Sequence, residues 1–233
     1  MTVPSFDLAK ALLDAGAVRL SPGQPFTWAS GLKSPIYCDN RLLLGVPQVR
    51  AQVALALADS VKALPAPPTL IAGASTAGIP WAAFVAAHLG LPMAYVRPEP
   101  KTHGMGRQVE GPSVSGHSVV LIEDLISTGG SSIKCVESLR LEGAQSVCVL
   151  ALFSYGLAKA KSAFVSAGVQ YAVLATFPAL LQKAVEMGAI SKESLLTLED
   201  WRRDPQAWSE NSKSPNPPAA ESEINPASAA APK

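Results

Sequence analysis

The sequence predicts an α/β fold, a parallel β-sheet with helices on both faces, preceded by a small β-containing hood. Two observations support this prediction. From residue 47 onward, short apolar segments alternate with longer stretches of helical spacing, which is typical of a parallel sheet built from βαβ units. In addition, 48% of the 233 residues are hydrophobic, so the chain can bury a substantial core.

Residues 1–46 predict an N-terminal helix followed by a hood of short strands. Apolar residues at positions 6–13 have helical spacing, Ser5 or Asp7 can cap this helix, and Gly16 can end it. The predicted strands of the hood are 18–20, 26–28 and 36–38.

Residues 47–204 predict the core domain, in which strands and helices alternate. The predicted strands are 70–72, 93–96, 119–122, 147–153 and 171–174, and the predicted helices are 47–63, 80–89, 133–143, 157–167, 178–187 and 192–201. We predict a disordered tail over residues 205–233, because the chain from residue 211 onward is rich in Pro, Ala and Ser and has almost no large apolar side chain.

Composition and charge argue against several classes of partner. The formal net charge is +1 and only 16% of the residues are charged, so we expect no binding to nucleic acid or to an anionic membrane. The three cysteines lie far apart, without the spacing of a zinc site or a disulfide framework. The N-terminus lacks a basic and apolar leader, and no apolar segment is long enough to span a bilayer. We therefore expect a cytoplasmic protein.

The segment 118–132 combines the features of a site for a ribose phosphate. A predicted buried strand leads to Glu123 and Asp124, which stand where the strand should end. A small polar loop, 127–132, then leads into a helix, so that backbone N–H groups and the helix dipole can bind a phosphate. The two carboxylates can accept hydrogen bonds from ribose hydroxyls. The alternative is an ordinary turn with solvated acids, and the loop matches neither a Walker A motif nor a dinucleotide fingerprint.

A second loop, 74–79, also joins a predicted strand to a predicted helix. Its residues are small or carry hydroxyls, which favours binding of an anion at the helix N-terminus. Because the carboxyl ends of parallel strands meet at one edge of a sheet, we expect this loop to lie near segment 118–132. The alternative is a tight turn made of small residues.

The stretch 97–111 is rich in Gly and Pro and lies between two strands, which is typical of a mobile lid. Lys101 and His103 are two positions apart, so they project to the same side of an extended backbone. Together with Arg97 and Arg107, they could bind a pyrophosphate. The alternative is a solvated loop whose charges have no function.

The hood segment 26–41 places aromatic residues between two cations, Lys33 and Arg41. This combination suits a planar anionic ring, which it can bind by stacking and by charge-assisted hydrogen bonds. The alternative is a hydrophobic plug with two surface cations.

The run Val-Val-Leu-Ile-Glu-Asp-Leu-Ile-Ser-Thr-Gly-Gly-Ser, residues 119–131, resembles the phosphoribosyl pyrophosphate (PRPP) motif of the type I phosphoribosyltransferases. Three other segments agree in order and spacing with one family within this class, the orotate phosphoribosyltransferases. They are Phe-Thr-Trp-Ala-Ser-Gly-x-x-Ser-Pro-Ile-Tyr-Cys-Asp-Asn-Arg, Ala-Ser-Thr-Ala-Gly-Ile-Pro and Tyr-Val-Arg-x-x-x-Lys-x-His-Gly. The resemblance extends from about Phe6 to Trp201.

This resemblance implies a reaction in which orotate and PRPP give orotidine 5′-monophosphate and pyrophosphate, with Mg²⁺, in pyrimidine nucleotide (UMP) synthesis. It implies catalysis by positioning and by stabilisation of the leaving group, without a protein nucleophile. It also implies a homodimer in which the lid reaches the site of the neighbouring subunit.

The resemblance also assigns roles to individual residues by position. The implied catalytic residues are Lys101, His103 and Asp124, with Lys101 as the main contact to the transition state. The implied PRPP-binding residues are Arg97, Lys101, His103, Glu123, Asp124, Leu125, Ile126, Ser127, Thr128, Gly129, Gly130 and Ser131. The implied orotate-binding residues are Ser127, Lys33, Tyr37 and Arg41, with Arg41 for the carboxylate. No side chain is assigned to Mg²⁺.

One departure and two alternatives qualify this interpretation. Many members of the family bind the orotate carboxylate with an arginine near residues 154–156, where this chain has none. A non-catalytic PRPP-sensing regulator is disfavoured by the balanced charge, because such proteins usually add a basic face. A purine phosphoribosyltransferase is disfavoured by segment 26–41.

Overall fold

The computed structural model describes residues 6–28, 30–99 and 107–212. In chain order, its helices are α1 (Leu8–Asp14), α2 (Pro47–Lys62), α3 (Gly78–Leu89), α4 (Gly130–Leu141), α5 (Ala158–Ser166), α6 (Phe177–Glu186), α7 (Lys192–Arg203) and α8 (Pro205–Asn211). Its strands are β1 (Val18–Leu20), β2 (Phe26–Thr27), β3 (Lys33–Ser34), β4 (Ile36–Cys38), β5 (Leu70–Ala74), β6 (Met93–Val96), β7 (Val109–Glu110), β8 (Ser118–Ile126), β9 (Ser146–Ser154) and β10 (Tyr171–Thr176). A 3-10 helix covers Asn40–Gly45.

Six strands form the central sheet, in the spatial order β10-β9-β8-β5-β6-β7. Neighbouring strands are parallel except for β7, which pairs antiparallel with β6 at the edge. Strands β5 and β8 are neighbours, with Gly73 opposite Ile122. The loops that follow these two strands therefore lie side by side at one edge of the sheet, which confirms the prediction from the alternating pattern.

The helices cover both faces of the sheet, and the alternation of side chains along β8 separates two cores. Val120 and Ile122 pack in a cluster with residues of α2, α3 and α7. Val119 and Leu121 pack in a second cluster with residues of α4 and α5. All four side chains are buried, and each contributes about 1.5–3 kcal/mol of hydrophobic stabilisation. The predicted fold class is therefore confirmed.

The hood consists of two small antiparallel pairs, β1 with β4 and β2 with β3. Asp7 caps α1 by accepting a hydrogen bond from the backbone N–H of Lys10 (3.0 Å), one of the two caps that the sequence predicted. The buried Asn40 joins the hood to the sheet, because its Nδ2 donates to the carbonyl oxygen of Asp124 (2.6 Å). The hood is thus fixed against the end of β8.

The predicted end of β8 was wrong. Pairing with β9 continues as far as Ile126 opposite Ser154, so the strand includes Glu123 and Asp124 instead of ending before them. The reason is that backbone hydrogen bonding to a neighbouring strand continues past the apolar residues that mark the strand in the sequence.

The predicted start of the tail at residue 205 was also wrong. Residues Pro205–Asn211 form α8, and Asp204 caps this helix by accepting from the backbone N–H of Ala207 (3.0 Å). The helix packs on the hood, where Ser209 Oγ accepts from the backbone N–H of Lys33 (2.8 Å). The rest of the predicted tail, residues 213–233, lies outside the described residues.

Candidate active site

Glu123 and Asp124 lie side by side near the carboxyl end of β8. Glu123 is buried, with 7% of its surface exposed. Its Oε2 accepts a hydrogen bond from Ser132 Oγ (3.1 Å), and its Oε1 accepts from the backbone N–H of Asp124 (3.1 Å). Since Asp124 is also held through its carbonyl oxygen by Asn40, the two acids are fixed from the side of α4 and from the side of the hood.

The environment of these acids favours their protonated forms. Burial, followed by the charge of Asp124, raises the pKa of Glu123 to about 8. Burial also raises the pKa of Asp124, although hydrogen bonds and the nearby charge of Arg41 act against it. The pair therefore retains a proton near neutral pH, so that one carboxyl group can donate a hydrogen bond while the other accepts.

The loop between β8 and α4 leads into the N-terminus of α4, a helix of 12 residues. Gly129 caps α4 with a φ of +82°, and a Cβ at this position would lie 2.9 Å from a ring carbon of Phe164. No side chain among the described residues caps this helix, so its first N–H groups are open to a phosphate. The neighbouring Thr128, Gly130 and Ser131 are exposed beside them.

The loop 74–79 lies against the same part of β8. At Gly78, the first residue of α3, a Cβ would overlap the carbonyl oxygen of Ile122 and would lie 3.4 Å from Cα of Glu123. Only a glycine therefore allows α3 to approach the acidic pair so closely. Like α4, α3 has no side-chain cap among the described residues, but the N–H of Ile79 donates to the carbonyl oxygen of Thr76 (3.3 Å) and Pro80 has no N–H. Binding of an anion at this second helix N-terminus stays a prediction.

The described part of the predicted lid is more ordered than the sequence suggested. Residues 109–110 form β7, and the backbone N–H of Arg97 donates to the carbonyl oxygen of Gln108 (2.9 Å). Nη1 of Arg97 lies 3.6 Å from Oε1 of Glu110. Arg107 is engaged elsewhere, because its Nε donates to Oε2 of Glu142 (2.9 Å).

Two predicted catalytic residues, Lys101 and His103, lie outside the described residues. Their contact with pyrophosphate stays a prediction. Arg97, the other cation predicted to bind PRPP, lies within the described residues. It follows β6, at the same edge of the sheet as the loops after β5 and β8.

The hood residues predicted to bind orotate each have a local partner. Nζ of Lys33 donates to the carbonyl oxygen of Ser212 (2.8 Å). Arg41 makes a two-pronged contact with Asp39, at 2.7 and 2.8 Å, and 64% of its side chain is exposed. The ring of Tyr37 packs against a guanidinium group of β1, 5.2 Å from the ring centre. None of these three residues lines the cavity described next.

A cavity of about 290 Å³ opens between the hood, the loop after β8 and the C-terminal helices. Its lining consists of Trp28, Leu32, Ser127, Thr128, Leu157, Ala158, Lys159, Arg202, Arg203, Asp204, Pro205 and Gln206. The structure thus brings Ser127, a predicted orotate ligand, and the ring of Trp28 into the wall of one cavity. The sequence prediction missed the wall built from residues 202–206, for which the Trp-Arg-Arg run at 201–203 was the only visible signal.

Comparison with known proteins agrees with this geometry. Residues 43–171 match the family model of the phosphoribosyl transferase domain, which defines the class to which the fold and the phosphate loop point. The orotate phosphoribosyltransferase of Listeria monocytogenes is 48% identical over 201 residues, covering 86% of this chain and 96% of the relative. That of Bacillus caldolyticus is 50% identical over 202 residues, covering 87% and 98%.

A solved structure supports the same conclusion. The crystal structure of orotate phosphoribosyltransferase from Aeropyrum pernix has a TM-score of 0.68 and 37% sequence identity, covering 79% of this chain and all of that chain (100%). The chain described here belongs to the orotate phosphoribosyltransferase family.

Proposed function

We propose that this protein transfers the 5-phosphoribosyl group from PRPP to orotate, giving orotidine 5′-monophosphate (OMP) and pyrophosphate in the synthesis of UMP. The observation that carries this proposal is the position of the Glu123–Asp124 pair. It precedes an uncapped helix N-terminus, and the loop between them lines a cavity with Trp28 in its wall. The pair, the helix N-terminus and the cavity match the three parts of the product, a ribose, its 5′-phosphate and a planar base.

The acidic pair binds the ribose in this proposal. Its two carboxyl groups form hydrogen bonds with the ribose hydroxyls, and the N–H groups and hydroxyls of Thr128 to Ser131 hold the 5′-phosphate. Leu125 and Ile126 contribute the backbone between these two contacts. Holding both ends of the ribose phosphate places the anomeric carbon in a fixed position beside the cavity, which lowers the entropic cost of reaction.

The pyrophosphate leaves from the other side of the anomeric carbon. Arg97, Lys101 and His103 bind it, and Lys101 makes the contact that strengthens most as negative charge develops on the leaving group. The new bond forms from a ring nitrogen of orotate while the bond to pyrophosphate breaks. No protein nucleophile takes part.

Mg²⁺ is the cofactor that this reaction implies. Within the part of the chain that the structure describes, no group of three or more His, Cys, Asp or Glu side chains could hold a metal. Asp124 nevertheless fits Mg²⁺, which prefers one or two carboxylates together with substrate phosphates and water. Asp124 is the more exposed of the two acids, whereas both carboxyl oxygens of the buried Glu123 already accept hydrogen bonds. Asp124 is therefore the residue that would face the ion, and Mg²⁺ would neutralise charge on the pyrophosphate when bound.

Two further features complete the proposal. The protein acts as a homodimer, with lid 97–111 of one subunit over the site of the other, as the family resemblance implies. It works in the cytoplasm, where its three free cysteines fit a reducing environment. None of the helices in residues 6–28, 30–99 and 107–212 is long and apolar enough to cross a membrane.

A panel of bases tests the proposal against its alternatives. Purified protein with PRPP and Mg²⁺ is offered orotate, hypoxanthine or adenine, and loss of orotate absorbance should occur only when PRPP is present. Turnover of a purine instead would identify a purine phosphoribosyltransferase. Tight PRPP binding without turnover of any base would identify a regulator.

A further inference from the structure

The wall of the cavity beside Ser127 includes an arginine that has no role in the proposed function. Arg202, near the C-terminal end of α7, lines this cavity. Its Nε and Nη2 donate to Oε2 of Glu199 at 3.0 and 2.8 Å. Its Nη1 lies 3.8 Å from the position of a Cβ at Gly156 and has no partner among the described residues. One side of the guanidinium is thus held in place while the other is available to an anion.

Aromatic packing fixes the backbone from which Arg202 projects. The preceding Trp201 is fully buried, and its ring makes edge contacts with Tyr155 (5.4 Å between ring centres) and Trp28 (5.7 Å). Trp28 itself lines the cavity and stacks on Tyr155 at 5.5 Å. Since one aromatic cluster holds both the wall of the cavity and the end of α7, Arg202 stays on the cavity side.

The other cations near the hood are less suited to a ligand in this cavity. Lys33 and Arg41 are held by Ser212 and Asp39, and neither lines the cavity. Arg203 and Lys159 line it, but Lys159 is exposed, and 79% of the Arg203 side chain is exposed, compared with 33% for Arg202. A partly buried guanidinium binds a carboxylate more strongly than an exposed one, because water competes less.

We propose that Arg202 determines specificity for orotate by donating from Nη1 to the carboxylate of its ring. This inference rests on the proposed function, and it moves the carboxylate contact from Arg41 to Arg202. Nη1, the nitrogen of Arg202 without a partner among the described residues, provides the donor for the carboxylate, and Trp28 provides an apolar wall of the cavity for the ring. A base without this carboxylate would leave Nη1 unpaired in the cavity, which disfavours its binding.

A comparison of the affinities for OMP and UMP tests this contact alone, because OMP carries the carboxylate and UMP does not. We expect Arg202→Gln to weaken binding of OMP by about 10- to 100-fold, as measured by calorimetry on the full chain. Binding of UMP should change by less than about twofold, because the ribose phosphate contacts are intact. Lys192→Gln is the matched control, because Lys192 is an exposed cation on the same helix that does not line the cavity, and it should leave both affinities unchanged.

Kinetics provide the second readout. Arg202→Gln should raise KM for orotate while KM for PRPP stays at the wild-type value, and Arg202→Lys should recover part of the loss. Thermal melting shows whether each variant is folded. If Arg202→Gln is not folded, the same measurements are made on Arg202→Lys.

Three results would overturn the inference. In the first, Arg202→Gln binds OMP as tightly as the wild type. In the second, its affinities for OMP and UMP fall equally. In the third, Arg41→Gln loses affinity for OMP but not for UMP. Failure of the proposed function looks different, since the wild-type protein would then convert no orotate at all.

Discussion

At the scale of single residues, the site depends on the close contact between α3 and β8. A Cβ at Gly78 would overlap the carbonyl oxygen of Ile122, so Gly78→Ala forces the two elements apart. We expect this variant to lose about 1–3 kcal/mol in free energy of unfolding, measured with urea. The control is Gly23→Ala, because a Cβ at Gly23 would meet no atom within 4 Å. Equal stability of both variants would show that α3 can move away from β8 without cost.

The raised pKa of Glu123 predicts how the stability of the protein depends on pH. The ordinary value is 4.5 and the folded value is about 8, so between these values the folded chain binds more protons than the unfolded chain. The free energy of unfolding therefore falls through this group as pH rises from about 5 to about 8. Glu123→Gln removes this contribution, and its stability should fall less than that of the wild type between pH 5.5 and pH 8.

The control for this pH effect is Glu137→Gln, on the exposed surface of α4. Its stability should follow that of the wild type across the same pH range. If Glu123→Gln and the wild type respond to pH identically, the buried carboxyl group does not hold a proton.

Single residues also show how far the sequence predicts the site. Glu123, Asp124 and the loop that follows them are contiguous, so their chemistry can be recognised from their order alone. The sequence alone does not predict the ion pair between Arg41 and Asp39, because it depends on the side-chain conformations that the two residues adopt in the fold. The position of Arg202 beside Gly156 depends on the packing of the last helices, which no local pattern encodes.

At the scale of elements, α8 closes the cavity and holds the hood. Asp204, Pro205 and Gln206 line the cavity, and the segment 209–212 provides both contacts to Lys33. We expect deletion of residues 205–233 to raise KM for orotate several-fold, because this wall of the cavity and the contacts to Lys33 are lost together. Steady-state kinetics with saturating PRPP measure this change.

Deletion of residues 213–233 is the matched control, because it keeps α8 and its contacts. This shorter deletion should leave kcat and KM for orotate at their wild-type values. If both deletions have the same effect on KM, α8 makes no contribution to the site.

Elements differ in how well the sequence predicts them. The strands at the centre of the sheet contain short, uninterrupted apolar runs, and the sequence predicts their existence because burial on both faces requires such residues. Strands β3 and β7 have two residues each and are defined only by pairing with a neighbour. Helix α8 is polar and short, so its stability depends on a cap and on contacts with the hood that lie far away in the sequence.

At the scale of the whole molecule, the sheet brings the loops after β5 and β8 together at one edge, with Arg97 after β6 beside them. In the proposed dimer, the lid that carries Lys101 and His103 reaches this site from the other subunit. A Lys101→Ala subunit and an Asp124→Asn subunit should therefore each be nearly inactive alone. After mixing and exchange, half of the dimers are mixed and each has one intact site, so about a quarter of wild-type activity should return.

The control for this experiment is each variant mixed with itself under the same conditions. No recovery in the mixture, despite exchange of subunits shown by native mass spectrometry, would mean that each lid serves its own site. Activity of the Asp124→Asn protein alone at the wild-type level would instead remove the acidic pair from the site.

The stoichiometry of the products tests phosphoribosyl transfer to orotate most directly. Wild-type protein is incubated with orotate, PRPP and Mg²⁺, and OMP and pyrophosphate are quantified in the same samples by ³¹P NMR. Phosphoribosyl transfer to orotate should give both products in equal amounts, and neither should appear when orotate is omitted. Pyrophosphate release without orotate, or consumption of PRPP without OMP, would rule out this transfer.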